Sequence, residues 1–292
     1  MQDILKPFGK TDVLSYYSAI ANKLKNFLKN KEIASKVWLP FGFFIKRGSK
    51  AQPLYIEEFS VVDNKLLELR SKTNLKRARD KITKQQDKIW GYFPQAKLID
   101  FFYATNREGK GKPIDRIFFD IDRGKGTTAQ QTQQVIIALI KTIRSDKEFK
   151  KLIKFKTFLM WTGKSFHLYL MLNKAVPQSF YQKYISCKKD KPLESFTGRW
   201  AQKISKETKI KVKGGHEKTF NTIIIDPSQT PSGKLARCPF SLHMKSPKEV
   251  DGISVPLNEK MLQDKTLVKK LESLTPEKVI KNLNRWARNL PK

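Results

Sequence analysis

The stretch that most restricts what this chain can become is residues 115–126, DRIFFDIDRGKG. Three apolar residues, Ile117, Phe118 and Phe119, lead into Asp120, Ile121 and Asp122, and Arg123 and Gly124 close the run. A strand turns successive side chains to opposite faces, so Asp120 and Asp122 share a face and stand roughly 7 Å apart along it. Two like charges at the end of a buried strand repel and are costly to desolvate unless cations or donors lie between them. The pair therefore asks for one divalent metal ion or two, or else marks a solvated strand end entering a turn. The rest of the chain decides between these readings.

Flanking segments alternate between strand and helix patterns, which predicts a mixed α and β architecture without a long linker. Over residues 11–31, Leu14, Tyr17, Ile20, Leu24, Phe27 and Leu28 fall at helical spacing, with Thr11 or Asp12 placed to cap them. Residues 37–46 and 54–62 read as strands joined by a polar turn. Residues 63–88 read as a charged helical stretch holding nine Lys or Arg, either a solvated face or a contact for nucleic acid. Residues 96–105 read as a strand and 131–146 as an amphipathic helix. Residues 155–161 and 166–172 then read as strands around a tight turn. Two helical pieces over 177–208, a mobile glycine-containing loop at 211–216 and a strand at 222–225 ending in Asp226 follow. Short extended pieces and a helix over 276–289 complete the pattern.

Charge narrows the partners. Lys plus Arg number 59 against 27 Asp plus Glu, a formal net charge of +32 over 292 residues. Such a chain attracts polyanions, nucleic acid first and an anionic membrane surface second. No apolar run approaches the roughly 18 to 20 residues of a membrane span. The N-terminal MQDILKPFGKTDV lacks a signal-peptide core, which predicts an intracellular, cytoplasmic protein. Two cysteines and three histidines show no CxxC or CxxxxH spacing, so no structural zinc is predicted. An intracellular location also disfavours a Cys187–Cys238 disulfide.

Two further motifs bear on the aspartates. Thr162-Gly163-Lys164-Ser165-Phe166-His167 lies between two apolar strands. Its small residues let backbone N–H groups approach an anion, Lys164 adds a cation, and His167 can hydrogen-bond a phosphate. A Walker loop is excluded, because its upstream glycine would fall at Phe158 and a strand follows where a helix is required. The second motif is Asp226, followed by Arg237-Cys-Pro-Phe-Ser-Leu-His243. If that segment is extended, Arg237, Ser241 and His243 share a face, although Pro239 confines it to an edge or a bulge. A carboxylate with Arg and His at this spacing suits a site for metal and triphosphate; read alone, the segment is equally a surface β-loop.

Together these motifs resemble the archaeo-eukaryotic primase superfamily, most closely the small catalytic subunit of archaeal and eukaryotic primases. The resemblance runs over residues 14–258 and is carried by Tyr16-Tyr17, FFDID at 118–122, TGKSFH at 162–167 and RCPFSLHMKS with ISVPLN over 237–258. It implies an α+β fold with an RRM-like sheet, divided as an N-terminal αβ unit (1–94), a catalytic core (95–262) and a helical segment (263–292) of one intertwined domain. It also implies two divalent ions, Mg²⁺ or Mn²⁺, held by Asp120, Asp122 and Asp226. One ion would activate a primer 3′-hydroxyl and the other neutralise the triphosphate. Thr162, Gly163, Lys164, Ser165 and His167 would bind the incoming nucleotide, with Arg237 and His243 as further phosphate contacts. Thr162, Lys164 and Ser165 stand where the family has Ser, Arg and Gly. Its Cys/His zinc module is missing between Asp122 and Thr162.

The implied activity is primer synthesis from NTPs or dNTPs on single-stranded DNA, alongside a large primase subunit or a fused accessory domain. The alternatives are a repair, end-joining or mobile-element primase-polymerase and, in another class, a non-catalytic basic nucleic-acid-binding module.

Overall fold

Near-continuous apolar runs, buried on both faces, make 114–123 and 166–176 the longest strands of the protein, and the shorter ones assemble around them. The computed structural model describes residues 13–48, 51–95, 97–246 and 249–291, so the predicted cap at Thr11 or Asp12 lies outside the described residues. In chain order the strands are β1 (Ile33–Leu39), β2 (Gly42–Lys46), β3 (Ile99–Ala104), β4 (Ile114–Arg123), β5 (Phe155–Trp161) and β6 (Phe166–Val176). They continue as β7 (Val212–Gly214), β8 (Ile223–Asp226), β9 (Leu235–Arg237), β10 (Leu242–Ser246), β11 (Glu249–Ile253) and β12 (Val255–Leu257). The fold is α+β, with three sheets among the described residues. The chain forms two compact units: residues 105–234 with 256–273, and residues 1–104 with 235–255 and 274–292.

The unit built on residues 105–234 is organised by a six-stranded sheet in the order β12-β5-β6-β4-β8-β7. Central β4 pairs antiparallel with β6 on one side and with β8 on the other. One face of this sheet carries Phe119 and Ile121 and is covered by helices Ala129–Ser145 and Phe196–Thr208, with the rings of Phe119 and Trp200 6.1 Å apart. Thr128 and Gln131 form a capping box that starts the first of these helices. Its Val135, Ile136, Leu139 and Ile143 are buried. The other face carries Phe118, Asp120 and Asp122.

The second unit holds a four-stranded sheet, β2-β1-β3-β9, and the two-stranded β10-β11. Helix Val13–Leu24 buries Leu14, Tyr16, Tyr17, Ile20 and Leu24, but ends seven residues short of the predicted 11–31 span. Tyr16 donates its hydroxyl to the Phe240 carbonyl (2.9 Å). Tyr17 donates to Ile99 O (2.5 Å) and accepts from Leu242 N–H (3.2 Å). The tyrosine pair is therefore a brace for the 238–242 backbone.

Several local expectations change. The hairpin lies within 33–46, turning at Pro40 and Phe41, and does not join 37–46 to 54–62. Residues 56–61 form a 3₁₀ helix, because Glu58 turns back to accept from Tyr55 N–H (2.9 Å) and Phe59 packs on Phe93. Only Leu54 keeps a strand-like bridge, to Ile33. The predicted loop at 211–216 contains strand β7, which pairs parallel with β8. The segment 237–243 is not one extended strand. Phe240 has φ +66° and Ser241 N–H turns back to Cys238 O, so Arg237 ends β9 while His243 sits in a different sheet. The closing helix divides at Asn282 into Pro276–Lys281 and Leu283–Ala287. Cys187 is half-buried and Cys238 buried, and no disulfide joins them. Among the described residues no helix is long and apolar enough to cross a membrane.

Candidate active site

Strand register assembles the site. Asp120 in β4 lies opposite His167 in β6 and opposite Asp226 in β8. Directly paired residues of antiparallel strands present their side chains on the same face. A row His167–Asp120–Asp226 therefore crosses three strands, and Asp122 joins it two residues along β4. The expected shared face of the two aspartates is what the structure has.

His167 is buried, with its ring edge-on to Phe118 at 4.7 Å and its Nε2 3.5 Å from Asp120 Oδ1. The Tyr169 hydroxyl lies 3.5 Å from the other ring nitrogen, Nδ1. These contacts fix the ring plane beside the carboxylate. Gly163 and Lys164 form the tight turn between β5 and β6, with Gly163 at φ +101°. Two of the turn's donors are used internally: Thr162 N–H bonds Ser165 O (2.9 Å), and Ser165 N–H bonds Thr162 Oγ1 (3.0 Å). Ser165 donates its hydroxyl to the Ile121 carbonyl, which ties the turn to β4 between the two aspartates.

A residue that sequence reasoning missed completes the cluster. Lys218 Nζ lies 2.8 Å from Asp122 Oδ1. The backbone explains how it arrives there. Gly124 N–H bonds Thr222 O (2.9 Å), and a Cβ at residue 124 would stand 1.9 Å from Thr219 O. Only glycine lets the 219–222 backbone approach the end of β4 this closely. The signal available in the sequence was the Gly124 that ends the aspartate run, but nothing there says which segment it admits.

The electrostatics follow from crowding. Burial, reinforced by the charge of Asp120, pushes the Asp122 carboxyl up to about 6, while Lys218 pulls it back and Asp226 adds to the rise. Burial also raises Asp226, against the Ser228 N–H that bonds its Oδ1 at 2.7 Å. Lys218 is held above the usual lysine value. Burial opposes this, but its hydrogen bond to Asp122 and the charges of Asp122, Asp120 and Asp226 outweigh it. The Lys218 ammonium, 58% exposed, thus lies in the field of all three carboxylates. Among the described residues, no group of three or more His, Cys, Asp or Glu side chains is arranged to hold a metal ion as it stands.

Arg237 and His243 belong to the other unit. Arg237 donates to Leu242 O (2.6 Å), pairs with Asp100 (3.3 Å) and stacks its guanidinium 5.0 Å from the Phe102 ring centre. His243 Nδ1 lies 3.9 Å from Asp251 Oδ2.

The mixed sheet that sets these aspartates in register belongs to a member of the archaeo-eukaryotic primase superfamily, whose chemistry is nucleotidyl transfer. Within it, residues 9–289 match the family described as LigD, primase-polymerase domain, and the chain belongs to that family. The resemblance to primase small subunits therefore holds at the level of the superfamily. The fold is similar to that of the polymerase domain from Mycobacterium tuberculosis ligase D, solved in complex with DNA. The two share 16% identity with a TM-score of 0.60, over 99% of this chain and 96% of the other. No curated protein matches the sequence.

Proposed function

We propose that this protein extends DNA ends by template-directed nucleotidyl transfer, as a repair or end-joining polymerase of the primase-polymerase type. The observation that carries this reading is the row His167–Asp120–Asp226 with Asp122 beside it, three carboxylates gathered on one face of the sheet by strand register. Membership of the LigD primase-polymerase family supports end extension over primer synthesis on bare template. So does similarity to a polymerase domain that was solved with DNA.

Mg²⁺ or Mn²⁺ fits the donor set. Three carboxylates are hard oxygen ligands, and Lys218 already acts as a cation among them. Asp120, Asp122 and Asp226 would hold the ions, which when bound lower the pKa of an attacking 3′-hydroxyl and neutralise the triphosphate. His167 and Lys164 supply donors beside the carboxylates where the nucleotide's negative charge concentrates. The turn Thr162–Gly163–Lys164–Ser165 positions them, because its own bonds and the Ser165 tie to β4 fix its place. The partners are DNA with a 3′ end and nucleoside triphosphates; nothing in this reading calls for a large primase subunit.

The test offers the protein two substrates, with labelled NTPs or dNTPs and Mn²⁺ or Mg²⁺. One is a duplex with a recessed 3′ end, the other unprimed single-stranded DNA. Extension of the recessed end, abolished by Asp120→Asn and Asp122→Asn, is expected. Products made only on the unprimed strand would return the protein to primer synthesis, and synthesis by the Asn variants would overturn the assignment of the site.

A further inference from the structure

A second basic feature lies in the unit that contains β1–β3. A cavity of about 500 Å³ is lined by residues that include Lys46 from the end of β2, Arg79, Lys84, Asp87, Lys88 and Tyr92. Four cations face one carboxylate there. That carboxylate is engaged, since Asp87 Oδ1 pairs with Arg79 Nε at 3.1 Å. Lys88 is likewise held by Glu58 at 2.5 Å. Among the described residues, neither Lys46 nor Lys84 has an ion-pair partner.

Lys46 is the informative member. It is half-buried, and its ammonium lies 5.2 Å from the centre of the Tyr92 ring. Helix Lys84–Tyr92 makes room for it with a glycine: a Cβ on Gly91 would stand 2.8 Å from Lys46 Nζ. Burial lowers the lysine's pKa, and the charge of Asp87 only partly restores it. A partly desolvated cation without a carboxylate in ion-pair range is costly to maintain. An anion entering the cavity would offset that cost, and the neighbouring cations would hold it. Solvated lysines on an open helix face have no such aromatic ring and no such glycine beside them.

We propose that this cavity binds a phosphate group of a nucleic-acid strand, with Lys46 and Lys84 as its direct contacts and Arg79 and Lys88 as flanking charge. The inference rests on the reading of the protein as a DNA enzyme and adds to it a contact remote in sequence from the aspartates. A cavity this size also admits free phosphate or a mononucleotide, which share the same chemistry.

The experiment measures DNA affinity over a range of salt for the wild type, Lys46→Met, Lys84→Ala, the double variant and Lys46→Arg. Lys269→Ala, on helix Leu267–Glu272, is the control for loss of a surface charge. Each contact removed should flatten the slope of log affinity against log salt by about one, and weaken binding on the order of threefold to tenfold. Lys46→Arg should keep most of the slope and Lys269→Ala all of it. Thermal melts confirm that each variant is folded. Slopes equal to wild type for both Lys46→Met and the double variant overturn the proposal, and so does a loss matched by Lys269→Ala. In a separate arm, inorganic phosphate and AMP are titrated against bound DNA. Saturable binding of either to the wild type, abolished in Lys46→Met but without effect on DNA, would assign the cavity to a free ligand and overturn the strand proposal. Wild-type protein that extends DNA ends normally while the variants bind unchanged would sink this inference alone. Wild-type protein that neither binds nor extends DNA would sink the functional reading with it.

Discussion

Two groups of buried carboxylates in this protein have opposite arrangements. Asp100, in β3, is fully buried, and burial raises its pKa. Its cation is built in: Arg237 lies 3.3 Å away with its side chain only 12% exposed, and Trp38 Nε1 adds a donor at 3.4 Å. Asp120, Asp122 and Asp226 are less buried, yet there are three of them crowded together, and the lysine beside Asp122 is largely exposed. The first group is a closed account of charge within the fold. The second is a crowd of like charges in which burial and mutual repulsion push carboxyl groups up.

Substitutions can break this contrast, beginning with the largest effect. Asp120→Asn or Asp122→Asn should lower end extension by at least about a thousandfold, as expected for loss of ligands in a preorganised site. The melting temperature should hold steady or rise, because mutual repulsion is relieved. A fall in stability comparable to the loss of activity would make the cluster structural. Asp100→Ala should do the reverse. Leaving Arg237 buried without its partner costs on the order of 3 kcal/mol, read as a lower midpoint in urea. Unchanged stability would place the Asp100 pair with the functional acids.

The pH dependence sharpens the comparison. With its pKa raised to about 6, Asp122 favours the metal-free fold when protonated. That stability is present at low pH and lost as pH rises through about 6. Metal-free protein should therefore unfold at higher urea near pH 5 than near pH 7, as far as this group is concerned. Protons and cations compete for the same oxygens, so Mn²⁺ affinity by calorimetry should climb across that range and level off above it. A flat affinity between pH 5 and 7 would contradict the crowding of the three acids. The smallest expected effect is Tyr17→Phe. It removes the hydroxyl between Ile99 O and Leu242 N–H and should cost about 1 to 2 kcal/mol, with end extension changed little.

Much of the site was legible because it is written in local patterns. The alternation in IFFDIDR fixed both aspartates on one face, the small residues of TGKS marked a tight turn, and the apolar run before Asp226 marked a strand end. What escaped depends on contacts between distant segments. Lys218 sits in a stretch with no periodicity, and only the close approach of residues 219–222 to Gly124 brings it to Asp122. Strand β7 is three residues long and exists through parallel pairing with β8. Residues 54–62 have strand-forming composition, but the Glu58 bond to Tyr55 and the packing of Phe59 prevail. Pro239 hinted at a bulge in 237–243, while the positive φ that divides the segment falls on Phe240, a residue type that gives no warning of it.

Because Asp120 has His167 on one neighbouring strand and Asp226 on the other, its surroundings are set by the hydrogen-bond ladders of β4 and not by the segments that join those strands. Connections can lengthen, shrink or lose a whole module without moving the row, so long as the pairing holds. A slip of one residue in either ladder, by contrast, would turn a partner to the helix-covered face. In this architecture a longer or shorter connection costs the row nothing, whereas a one-residue slip in a ladder takes it apart.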